Sequence, residues 1–249
     1  MITTLSNLTS HAFDAALALV YPQPCAVCGL SVESRHDGVA CARCWDDAPF
    51  FRGDETVCWK CGAPSSATVG EDKRETIRWG RCDDEPITNA RACGLYDGAL
   101  RASILELKRR PHVTRRVAQQ MFATQQRAPL IEADLIIPVP LHPSRERERG
   151  FNQALVQAQA LAQLSHLPLE EHSLVRRSQT KMHRAGMDVK ARRQSVANAF
   201  FVRHPELIAG KRVLLIDDVF TTGATVSACA RTLHDAGAEK SLALTIARV

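Results

Sequence analysis

The stretch Val213 to Thr225, VLLIDDVFTTGAT, constrains the chain more than any other. Four apolar residues, Val213 to Ile216, run directly into two adjacent acids, Asp217 and Asp218. A turn of small residues follows, Thr221-Thr222-Gly223-Ala224-Thr225, and then a helical pattern through Ala236. A continuous apolar run bounded by turn residues reads as a strand buried on both faces of a parallel sheet. A strand that feeds a Thr/Gly turn and a helix leaves backbone N–H groups free at the helix start, where an anion is favoured. Acids at the C-terminal end of such a strand stand where open α/β sheets bind ligands. Together these residue types suit a phosphorylated sugar, with hydroxyls or a metal on the carboxylates and the phosphate in the turn. Helix capping explains a single Asp or Thr, but not two contiguous acids followed by five small residues.

This stretch resembles the phosphoribosyl pyrophosphate (PRPP) signature of the type I phosphoribosyltransferases. In that family two acids after an apolar strand engage the ribose hydroxyls, and a TTG-type turn holds the 5′-phosphate. The resemblance assigns Asp217 and Asp218 to the hydroxyls and Thr221, Thr222, Gly223, Ala224 and Thr225 to the phosphate.

The second strong signal is cysteine. Eight of the nine cysteines precede Gly94, and six of these form Cys-x-x-Cys pairs. Each pair can build a knuckle that presents two thiolates, and two knuckles complete a tetrahedral zinc site. Cys25-x-x-Cys28 and Cys41-x-x-Cys44 have zinc-ribbon spacing, and four thiolates leave no open position for water, so this zinc is structural. Cys58-x-x-Cys61 begins a second site, but its partner knuckle reads Trp79-Gly80-Arg81-Cys82 and retains only Cys82. Cys93 falls in what reads as a strand, Ala92 to Tyr96, and is expected in the core. The second site is incomplete, or takes another ligand, or has become metal-free.

The rest of the chain alternates strands and helices. Residues 7 to 20 have helical spacing and stop at Tyr21-Pro22. Leu100 to Leu107 and Val113 to Gln126 read as helices, separated at Arg110-Pro111, with basic residues from Lys108 to Arg116. Leu135 to Pro140 is a strand; a basic loop with Arg145, Arg147 and Arg149 follows, and Asn152 caps the next helix. Arginine offers bidentate donors to phosphate oxygens, so this loop is a second site element. Leu174-Val175 begins a short strand. A basic loop, Arg177 to Met187 with Lys181, then has the composition of a water-excluding lid. A helix from Asp188 to Val196, a strand at Asn198 to Val202 and a last strand at Ser241 to Ala247 complete a βαβ-like half, which predicts a mostly parallel sheet covered on both faces. The net charge of +5 suits phosphate-bearing ligands or nucleic acid. The N-terminus lacks the early basic residue and unbroken apolar run of a secretory signal, and no apolar stretch is long enough to span a bilayer. A cytoplasmic location is expected, where paired cysteines favour metal over disulfides.

Taken whole, the chain resembles the ComF family of competence-related, phosphoribosyltransferase-like proteins. The resemblance rests on Cys25, Cys28, Cys41, Cys44, Cys58, Cys61 and Cys82, on Pro138 to Pro143 with Arg149 to Gln153, on Asn198-Ala199-Phe200-Phe201, and on the Asp217 to Thr225 stretch. The family pattern has a cysteine where Trp79 stands. The resemblance implies an N-terminal helix (1–24), a double zinc-ribbon module (25–90) and a type I phosphoribosyltransferase-like parallel sheet flanked by helices (91–249). It implies structural Zn²⁺, and PRPP or a related ribose phosphate bound with Mg²⁺. Asp217, Asp218 and Lys181 are the candidate catalytic groups, with Arg145, Arg147 or Lys181 on pyrophosphate. Phosphoribosyl transfer to an acceptor is one implied activity. The other is a non-catalytic role in DNA uptake, binding single-stranded DNA or a helicase-like partner, although an aromatic content of 5% offers few rings for base stacking.

Overall fold

In the computed structural model the described residues are 23–34, 38–66, 69–177 and 199–249. The helix expected over residues 7–20, Lys181 with most of its basic loop, the helix expected over 188–196 and Asn198 lie outside them.

The sheet is built from β1 (Asn89–Leu95), β2 (Leu135–Pro138), β5 (Arg212–Phe220) and β6 (Lys240–Arg248) in the order β1-β6-β5-β2. All three pairings are parallel. β5 and β6 are central, which is why Val213 to Ile216 and Leu242 to Leu244 are buried and read as continuous apolar runs. A separate antiparallel pair joins β3 (Leu174–Arg176) to β4 (Phe200–Val202). β1 begins three residues before the expected Ala92, because Asn89 and Ala90 already pair with Leu242 and Ala243.

Alternation along β5 divides the core into two layers. Val213 and Leu215 pack with Cys229, Ala230 and Leu233 of α6 (Ala224–Asp235). Leu214 and Ile216 pack with residues of α2 (Gly98–Leu107), α3 (Arg115–Gln125) and α5 (Gln153–Ser165). The cysteine-rich segment contributes to both layers. Cys25, Cys41 and Trp45, the last in the short helix α1 (Ala42–Asp46), belong to the α2/α3 layer. Cys58, Cys61, Cys82 and Ile87 belong to the α6 layer.

The connecting chain crosses the outer edge of β1. The Phe51 N–H donates to the Cys93 carbonyl at 2.8 Å, Leu95 N–H to Pro49 at 3.0 Å and Ala90 N–H to Lys60 at 2.7 Å. These bonds satisfy backbone groups that an edge strand would otherwise leave open to pairing with another chain. Gly94 permits the crossing, since a Cβ there would lie 2.3 Å from the Pro49 carbonyl oxygen and 2.7 Å from Leu100 Cδ1.

One expected loop is a helix. α4 (Pro143–Arg149) starts with Pro143 in its first turn, is capped by the His142 ring accepting from Ser144 N–H at 3.2 Å, and ends at Gly150 with φ +84°. Its charged sequence has no apolar residue after Pro143, so periodicity gave no sign of it.

Candidate functional site

The site is built where β5 outruns its neighbour. Pairing with β2 ends at Ile216 opposite Pro138, closed by the Val139 N–H on the Ile216 carbonyl at 2.9 Å. Pairing with β6 continues from Asp217 opposite Thr245 to Phe220 opposite Arg248. The two acids therefore lie inside the strand, just past the point at which one side of it becomes free.

Being consecutive in a strand, they point to opposite faces. Asp218 is buried and its Oδ2 lies 3.2 Å from Lys108 Nζ, just past the end of α2. Asp217 is half-buried, and its Oδ1 accepts the Asp218 N–H at 2.9 Å. Burial and the adjacent Asp218 charge push its carboxyl up to about 8, against a smaller opposing pull from Lys108. Its charge also reaches Cys229 of α6, whose thiol is raised well above its ordinary value by burial and then by Asp217.

The turn that follows is shaped by Gly223. It sits at φ +76°, and a Cβ there would lie 2.7 Å from Phe220 Cζ. Gly223 is also the N-cap of α6, and no side chain caps that helix; the Ala224 N–H reaches Thr222 Oγ1 at 3.4 Å. Beyond that one contact the N-cap glycine offers no side chain to the first-turn N–H groups of this twelve-residue helix, and the positive end of its dipole stands at the turn. Thr221, Thr222 and Gly223 line a cleft of about 290 Å³ together with Lys60, Cys61 and Arg248.

Arg145 and Arg147 lie elsewhere. Both are exposed on α4, and they do not line that cleft. α4 instead borders, through Pro143 and Glu146, a second cleft of about 280 Å³ that also contains Asn152, Arg176 and Arg203. Asn152 caps α5 as expected, its Oδ1 accepting from Ala154 N–H at 3.0 Å, and its Nδ2 donates to the Val139 carbonyl at 3.1 Å.

The cysteines form two clusters. The sulfurs of Cys25, Cys28, Cys41 and Cys44 lie within 4.8 Å of one another, as do those of Cys58, Cys61 and Cys82. Tetrahedral zinc with Zn–S bonds of about 2.3 Å separates its sulfurs by roughly 3.8 Å. The Cys28–Cys41 and Cys58–Cys82 sulfurs, at 3.7 and 4.0 Å, fit that geometry. Backbone N–H groups favour one thiolate in each cluster, while Cys41, Cys44 and Cys82 are raised by burial and by the neighbouring sulfurs. Cys25, against the effect of burial, is brought down to about 6 by the N–H groups of Cys28, Cys41 and Val27. Cys58, again against burial, is lowered by those of Cys61, Trp79 and Lys60. Cys93 belongs to neither cluster; it is buried in the α2/α3 layer, and burial pushes its thiol up to about 12.

A further group gathers where the cysteine-rich segment crosses β1. Phe51, Trp59, Arg74, Arg91 and Arg127 line a small pocket of about 90 Å³. The Arg91 guanidinium lies 4.8 Å from the centre of the Trp59 ring and donates to the Trp59 carbonyl at 2.8 Å, while Arg127 donates to the Phe51 carbonyl at 2.9 Å. These residues are spread over more than seventy positions, so no local pattern could have shown them together.

Comparison with known proteins follows the same division. Residues 16–85 match the double zinc ribbon domain, and residues 153–248 match the phosphoribosyl transferase domain. DNA utilization protein YhgH of Escherichia coli O157:H7 is 28% identical over 228 residues, spanning 88% of this chain and 94% of that protein. Competence protein ComFC of Bacillus subtilis is 27% identical over 188 residues, covering 75% of each chain. Competence protein F of Haemophilus influenzae is 34% identical over 116 residues, 46% of this chain and 50% of that one. The two matched domains and these relatives support a ComF-family protein. The double zinc ribbon match and the cysteine clusters support structural zinc, and the parallel sheet is of the phosphoribosyltransferase type. Among the described residues, no helix is long and apolar enough to cross a membrane.

Proposed function

We propose that this ComF-family protein binds PRPP or a related ribose phosphate, with Mg²⁺, at the C-terminal end of β5. The observation that carries the reading is the continuity of Asp217, Asp218 and the Gly223 turn into an uncapped helix. Carboxylates and an anion cradle are thereby placed within seven residues of one another. In the proposed complex the turn and the first-turn N–H groups of α6 take the 5′-phosphate. Asp217 and Asp218 take the ribose hydroxyls directly or through Mg²⁺, whose hard oxygen preference suits carboxylates. Asp217 would enter that complex ionised, so ligand binding releases a proton near neutral pH.

Transfer of phosphoribose to an acceptor would follow by departure of pyrophosphate from an oxocarbenium-like centre. Fixed positive groups stabilise the leaving charge in such a step. Arg145 and Arg147, which lie on α4 away from the Thr221–Gly223 cleft, and Lys181, outside the described residues, are proposed donors that would have to approach the leaving group. Isothermal calorimetry with PRPP and Mg²⁺ tests the site: the wild-type protein binds, and the Asp217→Asn/Asp218→Asn double variant does not. Unchanged binding in the double variant sinks the assignment. Pyrophosphate release in a mixture of candidate acceptors separates transfer from binding alone.

The arginine and aromatic pocket at the β1 edge supports a second, compatible reading in DNA uptake. Guanidinium groups beside Trp59 and Phe51 suit a single-stranded backbone with stacked bases, which answers the low overall aromatic content. Anisotropy with a labelled single-stranded oligonucleotide should show affinity that falls steeply with salt and is lost in Trp59→Ala/Arg127→Ala.

A further inference from the structure

The three-cysteine cluster reaches the Thr221–Gly223 turn through contacts from both of its halves. The first route leaves the Cys58–Cys61 knuckle, where the Cys61 carbonyl accepts from Arg248 Nη1 at 2.8 Å. Arg248 ends β6 and stands opposite Phe220 at the end of β5, with its guanidinium 5.4 Å from the centre of the Phe220 ring. Both side chains are buried. The three atoms nearest to a Cβ built on Gly223 all belong to that ring, so the glycine of the turn rests on Phe220.

The second route leaves Cys82. Glu85 N–H closes a turn on the Cys82 carbonyl at 3.1 Å, and the Glu85 carboxylate accepts from the Ser227 hydroxyl of α6. Ser227 N–H in turn donates to the Gly223 carbonyl at 2.8 Å. One residue beyond Glu85, the Pro86 carbonyl lies 3.1 Å from His234 Nε2 in the last turn of α6. The segment after Cys82 thus holds α6 near both ends, and the two routes meet at Gly223.

Packing alone does not account for the first route. β6 is otherwise buried apolar chain along most of its length, and a buried charge is costly unless it is paired or hydrogen-bonded. The Cys61 carbonyl supplies such a partner to Arg248, and it belongs to a residue whose sulfur lies within 4.8 Å of those of Cys58 and Cys82. Zinc on these sulfurs would hold them at roughly 3.8 Å from one another. That spacing fixes Cys61 relative to Cys82, and with them the two routes that converge on the turn.

We propose that Arg248 is a positioning residue linking the three-cysteine cluster to the turn, so that zinc at the cluster and a phosphorylated ligand at the turn each raise the affinity of the other. The proposal rests on the ribose-phosphate reading of that turn. It needs no contact between ligand and metal, because the link runs through Cys61, Arg248 and Phe220. Such coupling is reciprocal: each partner changes the affinity of the other by the same factor, typically about 5- to 150-fold.

The test uses the full-length protein, with PRPP and Mg²⁺ as the probe. Competition titration against a zinc-selective indicator should show two zinc ions per chain. PRPP should tighten one of them by about fivefold or more and leave the other unchanged. In calorimetry Cys82→Ser, which breaks the cluster, should weaken PRPP binding by the same factor. Arg248→Met removes the donor to the Cys61 carbonyl and should abolish both effects while two zinc ions remain. Arg248→Lys keeps a donor and should restore part of each. Absence of PRPP binding to the two-zinc wild-type protein overturns the ribose-phosphate reading and this proposal with it. PRPP binding that leaves zinc affinity unchanged, or that tightens both zinc ions equally as general stabilisation would, overturns the coupling alone, as does one zinc per chain. Full coupling in Arg248→Met overturns the role of Arg248. The wild-type titration decides the coupling even if no variant folds.

Discussion

The two faces of the sheet use the same residue types to opposite ends. On the α2/α3 face four cysteines enclose one metal position, and Asp218 has Lys108 as an ion-pair partner. On the α6 face the same groups are left incomplete. Among the described residues, three cysteines surround a position with no fourth donor, Asp217 feels only the smaller pull of Lys108, and the N-cap of α6 is a glycine. A face whose polar groups are satisfied internally contributes stability, because buried groups without partners are costly. A face that leaves them short keeps that free energy for a ligand.

Breaking each metal cluster in turn gives the largest expected effect. Cys41→Ser removes a ligand from the closed site beneath Trp45 and α2, and structural zinc binding is folding free energy. It should lower the melting temperature by about 10 °C or more and release one zinc. Cys82→Ser at the three-cysteine cluster should cost under half of that shift. Differential scanning calorimetry with metal analysis decides; equal losses would mean that both clusters serve the fold alike.

Gly223→Ala strikes the α6 face at its turn. The new Cβ meets Phe220 at a positive φ, so about 1–3 kcal/mol of strain is expected, with loss of ribose-phosphate binding. Urea unfolding and calorimetry check the two parts. Full retention of affinity would show that the turn does not hold the ligand.

The smallest effect is the most diagnostic. Folding lifts Asp217 from 3.8 to about 8, so between those values the native state keeps a proton that the unfolded chain has released. Stability therefore falls as pH rises through that window, and the loss is complete above about 8. Asp217→Asn removes the slope while its Oδ1 can still accept the Asp218 N–H. The variant should be more stable than the parent at pH 9 and nearly equal to it at pH 4. Urea midpoints at both values read this out, and a pH-independent difference would mean that Asp217 titrates normally.

Much of the site is legible in the sequence. Val213 to Thr225 could be read because a buried parallel strand, a left-handed glycine and a helix start are decided by neighbours a few residues apart. The knuckles were equally readable, since Cys25 and Cys58 are each wrapped by N–H groups one to a few residues away or from the paired knuckle. α4 was not, because a run of Arg and Glu has no apolar period to betray a helix.

What the amino-acid order determined by itself, then, is the set of local devices: acid pair, turn, cysteine pairs and the strand that carries them. The tertiary structure alone decided their company. It set Lys108 against Asp218 across 110 positions, brought Cys61 and Cys82 to the cleft of Thr221, and wrapped residues 49–60 along β1. Backbone geometry acts over a few residues and leaves a mark in local spacing. The packing of two layers on a shared sheet joins residues that are distant in the chain, and no local pattern records which of them will meet.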